Sequence, residues 1–198
     1  MPSANFLGYT LPIMAVVICL LRGVNVSGHN KIKMDELRAL CERLKLRDVR
    51  THLQSGNVVF RTGERDLKKL GCRIGDAIEG KFGFRPVIVL RTAEEWRGAM
   101  ARNPFVGRRS IDPPKLLVNF LEAAPADGVR EKLGARKTAP DELVVDGREL
   151  YMRLPNGVAE ATVPWTTVER LLGVAATGRN WNSVTKLMAI AEELEAKE

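Results

Sequence analysis

Apolar and polar positions alternate along this chain in blocks that change period several times. Ala15 to Leu21 is a short, continuously apolar run, the mark of a strand buried on both faces. A polar, glycine-bearing stretch follows from Gly23 to Ile32. Met34, Leu37, Leu40, Cys41 and Leu44 then recur at helical spacing, with Asp35 and Glu36 in the first turn, where the helix dipole favours acids. Val49 to Leu53 is extended, Gln54-Ser55-Gly56 turns the chain, and Asn57 to Arg61 is rich in β-formers. Leu67, Leu70, Ile74, Ala77, Ile78 and Phe82 make a second amphipathic helix closed by Gly83, and Pro86 to Leu90 is another strand. The order to this point is βαββαβ.

Thr92-x-x-Glu95 is a capping box opening a short helix that carries Trp96 and Met100. Residues 103–114 hold three prolines and no period, and they read as a linker. Lys115 to Leu121 is the next strand, and a short helix covers roughly Asp127 to Lys137. Asp146-Gly147 between two apolar runs is a strong hairpin signal. Thr166-x-x-Glu169 reads as the cap of a helix that Gly173 stops. Val174 to Gly178 reads as a short strand. Asn182 reads as the N-cap of a last helix through Val184, Leu187, Met188, Ala191 and Leu194. The second half repeats βαββαβ and adds a terminal helix. The expectation is an α+β protein of two tandem ferredoxin-like βαββαβ units with a C-terminal helix. The expected organisation is an extension over 1–13, a basic unit over 14–102, a linker over 103–114 and a second unit over 115–198. The duplication rests on element order, since no repeat is visible residue by residue.

Composition narrows the functional classes. With 198 residues, 45% of them hydrophobic and 28% charged, the chain can bury a real core. The best apolar run, Ile13 to Leu21, is about half the ~20 residues that cross a bilayer, so no membrane partner is expected. The formal charge of +7 lies wholly in residues 1–100, and residues 101–198 balance to zero. A basic half attracts anions such as phosphorylated metabolites or nucleic acid. The three cysteines are odd in number and form no CxxC, so they read as free thiols in a reducing, cytoplasmic compartment. His29 and His52 have no partners at ligand spacing, so neither a metal nor any cofactor is expected.

Three polar motifs exceed what a core needs. Arg22-Gly23-Val24-Asn25-Val26-Ser27-Gly28-His29-Asn30-Lys31 joins a strand to a helix through a glycine loop, a geometry suited to anions. Gly23 and Gly28 have P-loop spacing, but His29-Asn30 stand where Lys-Ser/Thr would, which excludes a P-loop NTPase. Gln54-Ser55-Gly56-Asn57 places amides and a hydroxyl before an apolar strand. An RNA-recognition motif would stack bases on aromatic residues of such strands, and here only Phe60 is available. Thr177-Gly178-Arg179-Asn180-Trp181-Asn182-Ser183 combines Arg, Asn and Trp at the start of the last helix. In a βαββαβ unit the loop after the first strand and the turn before the third lie at one edge. Arg22, Asn25, His29, Lys31, Gln54, Ser55, Asn57, Arg179, Asn180 and Trp181 are therefore the candidate ligand-binding set. Two other readings stay open: an enzyme using His29 as acid–base group, and a structural or interaction domain with no ligand. Oligomeric state is not legible.

Together, LLRGVNVSGHNKIKMDELRAL, VRTHLQSGNVVF and Arg179-Asn180-Trp181-Asn182-Ser183-Val184 resemble the bacterial domain-of-unknown-function family 1697. Its members carry an LLRGxNVGG-type loop, a YLQSGNVVF strand and an RNWNTV-type helix start. Ser27, His52 and Ser183 replace the usual Gly, Tyr and Thr. The resemblance spans nearly the whole chain from Met14. It implies a bacterial α+β protein and supplies no reaction.

Residues 1–13 show neither period nor charge pattern, so they are expected to be dispensable. A chain beginning at Met14 should melt within a degree or two of the full chain by calorimetry. A drop of many degrees would make the segment part of the core.

Overall fold

The computed structural model describes residues 14–26, 28–108 and 112–197; the expected extension over 1–13 lies outside the described residues. The first sheet takes β1 (Ala15–Leu21), β2 (Arg47–His52), β3 (Asn57–Thr62) and β4 (Ile88–Thr92) in the order β2-β3-β1-β4, antiparallel throughout. Helices α1 (Met34–Arg43) and α2 (Leu67–Phe82) connect them, and α3 (Ala93–Ala101) follows. The second sheet takes β5 (Leu116–Leu121), β6 (Glu142–Asp146), β7 (Glu149–Arg153) and β8 (Ala176–Asn180) in the order β6-β7-β5-β8, also antiparallel. Its connecting helices are α4 (Val129–Gly134) and α5 (Trp165–Leu172), and α6 (Trp181–Glu195) closes the chain. The architecture is thus mixed α and β, with two four-stranded antiparallel sheets and six α-helices among the described residues.

The apolar run of β1 is explained by its two buried faces. Val16, Ile18 and Leu20 point to one core, while Val17, Cys19 and Leu21 point to another. The odd-numbered set packs under α1 and α2 with Leu37, Leu40, Leu70, Ile74 and Ile78. The even-numbered set meets α3 and α6. On the second sheet Leu116, Val118 and Phe120 of β5 enter that same central core, and Leu121 turns to a third core beneath α4 and α5. Helices α3 and α6 therefore form a shared layer between the two sheets. Trp96 of α3 is wholly buried there. Its ring stacks on Phe120 at 4.1 Å between centroids, and its indole N–H donates to the Val184 carbonyl of α6 at 3.1 Å. Phe105, beyond α3, is also buried in this layer, and Tyr151 of β7 enters it and donates its hydroxyl to the Ala99 carbonyl.

Local signals hold at several junctions. Thr92 and Glu95 form the full capping box. Gly83 ends α2 in a left-handed conformation. The β6–β7 hairpin turns through Gly147, at φ 56°, and Arg148. Two assigned caps are corrected. Asn180, not Asn182, caps α6, with its side chain accepting from the Ser183 amide at 3.0 Å. The chain enters α6 straight from β8, so the last strand residue is also the cap. Thr166 and Glu169 form no capping box, because α5 opens at Trp165 behind Pro164 with no side-chain cap. The final strand runs Ala176–Asn180 rather than Val174–Gly178. Its pairing with β5 requires this register, and Gly178 faces Asn119 so closely that a Cβ there would lie 2.5 Å from Asn119 Oδ1.

Because the central layer belongs to both sheets, Trp96→Ala should cost about 3–5 kcal/mol by urea denaturation. The whole chain should still unfold in one transition. Two separated transitions, or a loss below about 1 kcal/mol, would show that the sheets do not share a core.

Candidate functional site

The third candidate motif enters the structure through Arg179, next to last in β8. Its guanidinium crosses to the first half and meets the end of β1 and the β2–β3 turn. Nη2 donates to the Leu21 carbonyl at 3.2 Å and the Ser55 carbonyl at 3.1 Å. Nε donates to Asn57 Oδ1 at 2.5 Å, and Nη1 donates to Thr177 Oγ1 and the Gly178 carbonyl. All five N–H groups are used, the full donor capacity of the side chain.

Asn57 is fully buried, and its amide donates to the His52 carbonyl and to Ser55 Oγ, both at 2.9 Å. Gly56 makes the turn tight enough for this. It sits at φ 70°, and a Cβ there would lie 2.7 Å from the Leu21 Cβ. The glycine loop is tied to the same turn by Asn25, itself left-handed at φ 57°. Its amide donates to the Ile32 and Gln54 carbonyls, and its Oδ1 accepts from the Ile32 amide. Asn25, Gln54, Ser55, Asn57 and Arg179 are thus one connected hydrogen-bonded cluster, with Asn180 beside it as the helix cap.

The remaining candidates stand apart from that cluster. Arg22 makes a two-pronged ion pair with Glu169 of α5, through Nη1 to Oε1 and through Nη2 to Oε2 at 3.1 Å. His29 and Lys31 are exposed on the outer part of the loop, where the His29 amide donates to the Val26 carbonyl. The Gln54 side chain is exposed. Trp181 is half-buried and packs on the central core. Beside the cluster, His52 titrates below its ordinary range because of partial burial and, second, the charge of Lys186.

The first half contains a counterpart that the sequence did not reveal. Arg91, next to last in β4, is buried and crosses to the second half. Nη2 donates to the Leu121 carbonyl at 2.8 Å and the Arg148 carbonyl at 3.0 Å, and Nη1 donates to the Leu90 carbonyl. Nε meets Glu149 Oε1 at 3.1 Å. The strand registers make the two sets equivalent: Arg91 with Arg179, Leu121 with Leu21, Glu149 with Asn57. Each arginine thus clamps the opposite half at the end of its first strand. They differ in one partner. Arg91 has the buried carboxylate of Glu149, which Arg102 also holds from the other side at 3.0 Å. Arg179 has the neutral amide of Asn57, and none of its hydrogen-bond partners is a carboxylate. Burial therefore lowers the Arg179 pKa to about 10, with only the Cys19 thiol working in the opposite direction.

Burial also raises the thiols beneath this face. Cys41 is pushed up to about 12 and Cys19 is raised well above its ordinary value. Neither is a ready nucleophile. Among the described residues, no group of three or more His, Cys, Asp and Glu side chains could hold a metal ion, and no helix is long and apolar enough to cross a membrane.

This two-sheet fold and its paired arginine clamps carry the segments noted above as family features. The family model for the "Protein of unknown function (DUF1697)" matches residues 14–151, and the chain belongs to that family. A solved structure described as that of the conserved bacterial protein SP0830 from Streptococcus pneumoniae has the same fold. Its TM-score is 0.67 at 19% sequence identity, over 90% of this chain and 99% of that one. None of the curated proteins matches this chain.

The two clamps should respond differently to removal. Arg91→Ala strands the buried Glu149 carboxylate with only half-exposed Arg102, and should cost about 3–5 kcal/mol. Arg179→Ala leaves neutral acceptors unmet and should cost about 1–3 kcal/mol. Urea denaturation of both variants measures this, and a larger loss for Arg179→Ala would refute the assigned difference.

Proposed function

We propose that this protein binds an anionic ligand, a phosphorylated small molecule or a nucleic acid, where the loop over residues 22–33 meets the turn over residues 53–57. The observation that carries this is the charge of Arg179, half-buried and without a carboxylate partner while its counterpart Arg91 has one. A cation withdrawn from water without a counter-charge is costly, and an anion drawn beside it offsets part of that cost. Its N–H groups are all engaged, so Arg179 acts through its field, and Asn25, Ser55, Asn57, Asn180 and Trp181 shape the place. His29, Lys31 and Gln54 supply the exposed donors, and Arg22, paired with Glu169, flanks them. The charge of +7 confined to the first half favours the same class of ligand.

In this reading each sheet with its two connecting helices is a ferredoxin-like βαββαβ unit. Residues 14–102 and 115–198 form the two units, 103–114 is the link, and the ligand lies at their junction. The protein works in the bacterial cytoplasm, which suits three free thiols. A second reading, a structural domain without a ligand, is favoured by one observation, the complete hydrogen bonding of Arg179.

Thermal shift against nucleotides, inorganic polyphosphate and a single-stranded oligonucleotide separates the two. A ligand at 100 times its Kd adds about 2.7 kcal/mol of stability. Lys31→Glu should reduce the affinity at least tenfold and leave the melting temperature of the free protein unchanged. For an oligonucleotide the affinity should fall steeply with salt. No shift with any of these anions at low salt leaves the structural reading.

A further inference from the structure

The two junctions between the halves are equivalent in backbone, but the ion pair that follows the first strand is present at only one of them. After β1, Arg22 reaches Glu169 of α5 and bridges the junction that holds Arg179. After β5 the equivalent residue is Glu122, whose amide donates to the Ala175 carbonyl as that of Arg22 donates to Val87. No ion pair runs from Glu122 to α2 among the described residues. A groove of about 670 Å³ lies there instead, between α2, the strand β4 and the residues after β5. That volume is in the range of ligand-binding clefts.

The groove follows the free edge of a sheet. β4 is the outer strand and pairs only with β1. Arg22 donates to the Val87 carbonyl, which fixes the hydrogen-bonded pairs as Arg22 with Val87, Leu20 with Val89 and Ile18 with Arg91. Ile88 and Leu90 therefore turn their amides away from β1, into the groove. The Leu90 carbonyl is taken by Arg91. Both groups of Ile88 and the N–H of Leu90 have no partner among the described residues. The other edge of this sheet differs, because β2 is irregular between Arg47 and Arg50, with Asp48 left-handed at φ 52°.

The walls suit an added strand. Gly71 of α2 faces Leu90 of β4, and Gly75 lies beneath the Arg85 guanidinium. Lys68, Arg85 and Arg148 reach the groove against one acid, Glu122. The carboxylates that pair Arg85 and Arg148, those of Asp76, Glu79 and Glu95, are outside the lining. Lys68 has no ion-pair partner among the described residues.

We propose that this groove is a docking site for an extended, acidic segment of a partner protein, which adds to β4 as a strand. Main-chain bonds to Ile88 and Leu90 supply affinity, and alternate carboxylates of the segment meet Lys68, Arg85 and Arg148. The site is separate from the anion notch and stands without it.

The test uses the full chain and an array of capped hexapeptides with Glu at alternate positions and each apolar residue type between. Cys72 lines the groove and is the exposed cysteine, whereas Cys19 and Cys41 are buried, so alkylation of Cys72 reports occupancy. Bound peptides should slow that alkylation at least fivefold and protect the Ile88 and Leu90 amides from hydrogen exchange. Lys68→Glu should weaken binding at least tenfold, and Arg148→Gln should weaken it in the same direction. Peptides N-methylated at alternate residues should not bind. The proposal is overturned if no member of the array protects Cys72 and the two amides. It is equally overturned if the N-methylated peptides bind as well, or if Lys68→Glu has no effect. Protection that depends on protein concentration without peptide would assign the edge to a second copy of the chain and overturn the acidic partner.

Discussion

Each sheet in this protein has two faces to bury and only two connecting helices, both on one side. A four-stranded sheet left with its other face in water would expose the even-numbered residues of β1, or Leu116, Val118 and Phe120 of β5. At roughly 25 cal/mol per Å² of apolar surface, such faces demand a cover. The chain solves this for both sheets at once, with α3 and α6 as a single layer between them. Trp96 shows how closely the solution is shared: it rises from the first half, stacks on the second sheet and bonds the last helix. Every other relation between the halves, the two polar junctions included, follows from that apposition.

The junctions occur where strand ends from one half approach the turn of the other. Backbone carbonyls end there without sheet partners, and buried carbonyls need donors. A guanidinium is the one side chain with enough N–H groups to serve several of them from one position. Arg91 and Arg179 both do so. Their remaining partner sets the electrostatics: Glu149 neutralises one clamp and Asn57 leaves the other positive. The difference in charge between the two junctions therefore lies in one side chain at each.

Most of the fold was legible because the apolar spacing is strong and turn residues sit where turns occur. Alternation could be read in β1, and the Asp146-Gly147 hairpin and the Thr92–Glu95 box signal themselves locally. The caps of α5 and α6 are the local signals that mislead. At α6 strand and helix abut with no loop between them, so Asn180 serves both, whereas α5 opens one residue before Thr166, directly behind Pro164. The candidate site was legible in its residue types and partly in its grouping: Asn25, Gln54, Ser55, Asn57 and Arg179 do meet. What the residues do for one another was not. The bonds from Arg179 to Leu21 and Ser55 join main-chain atoms more than 120 positions away, and a carbonyl has no signature in sequence. Arg91 is silent in the sequence for the same reason, since its partners are largely carbonyls. Its equivalence to Arg179 emerges only when strand registers align Arg91-Thr92 with Arg179-Asn180, two dipeptides that share one letter.

The shared helical layer has a consequence for how such a molecule can specialise. Two identical halves packed through α3 and its mate would be a symmetric dimer, and every change at one junction would be copied at the other. A counter-ion lost beneath one arginine would be lost beneath both, and a gap closed on one side would close on both. Joining the halves in one polypeptide breaks that symmetry. Glu149 can be kept while its equivalent is Asn57, and Arg22 can bridge to α5 while Glu122 leaves its side open. One scaffold then holds two unlike junctions, each free to change without disturbing its twin.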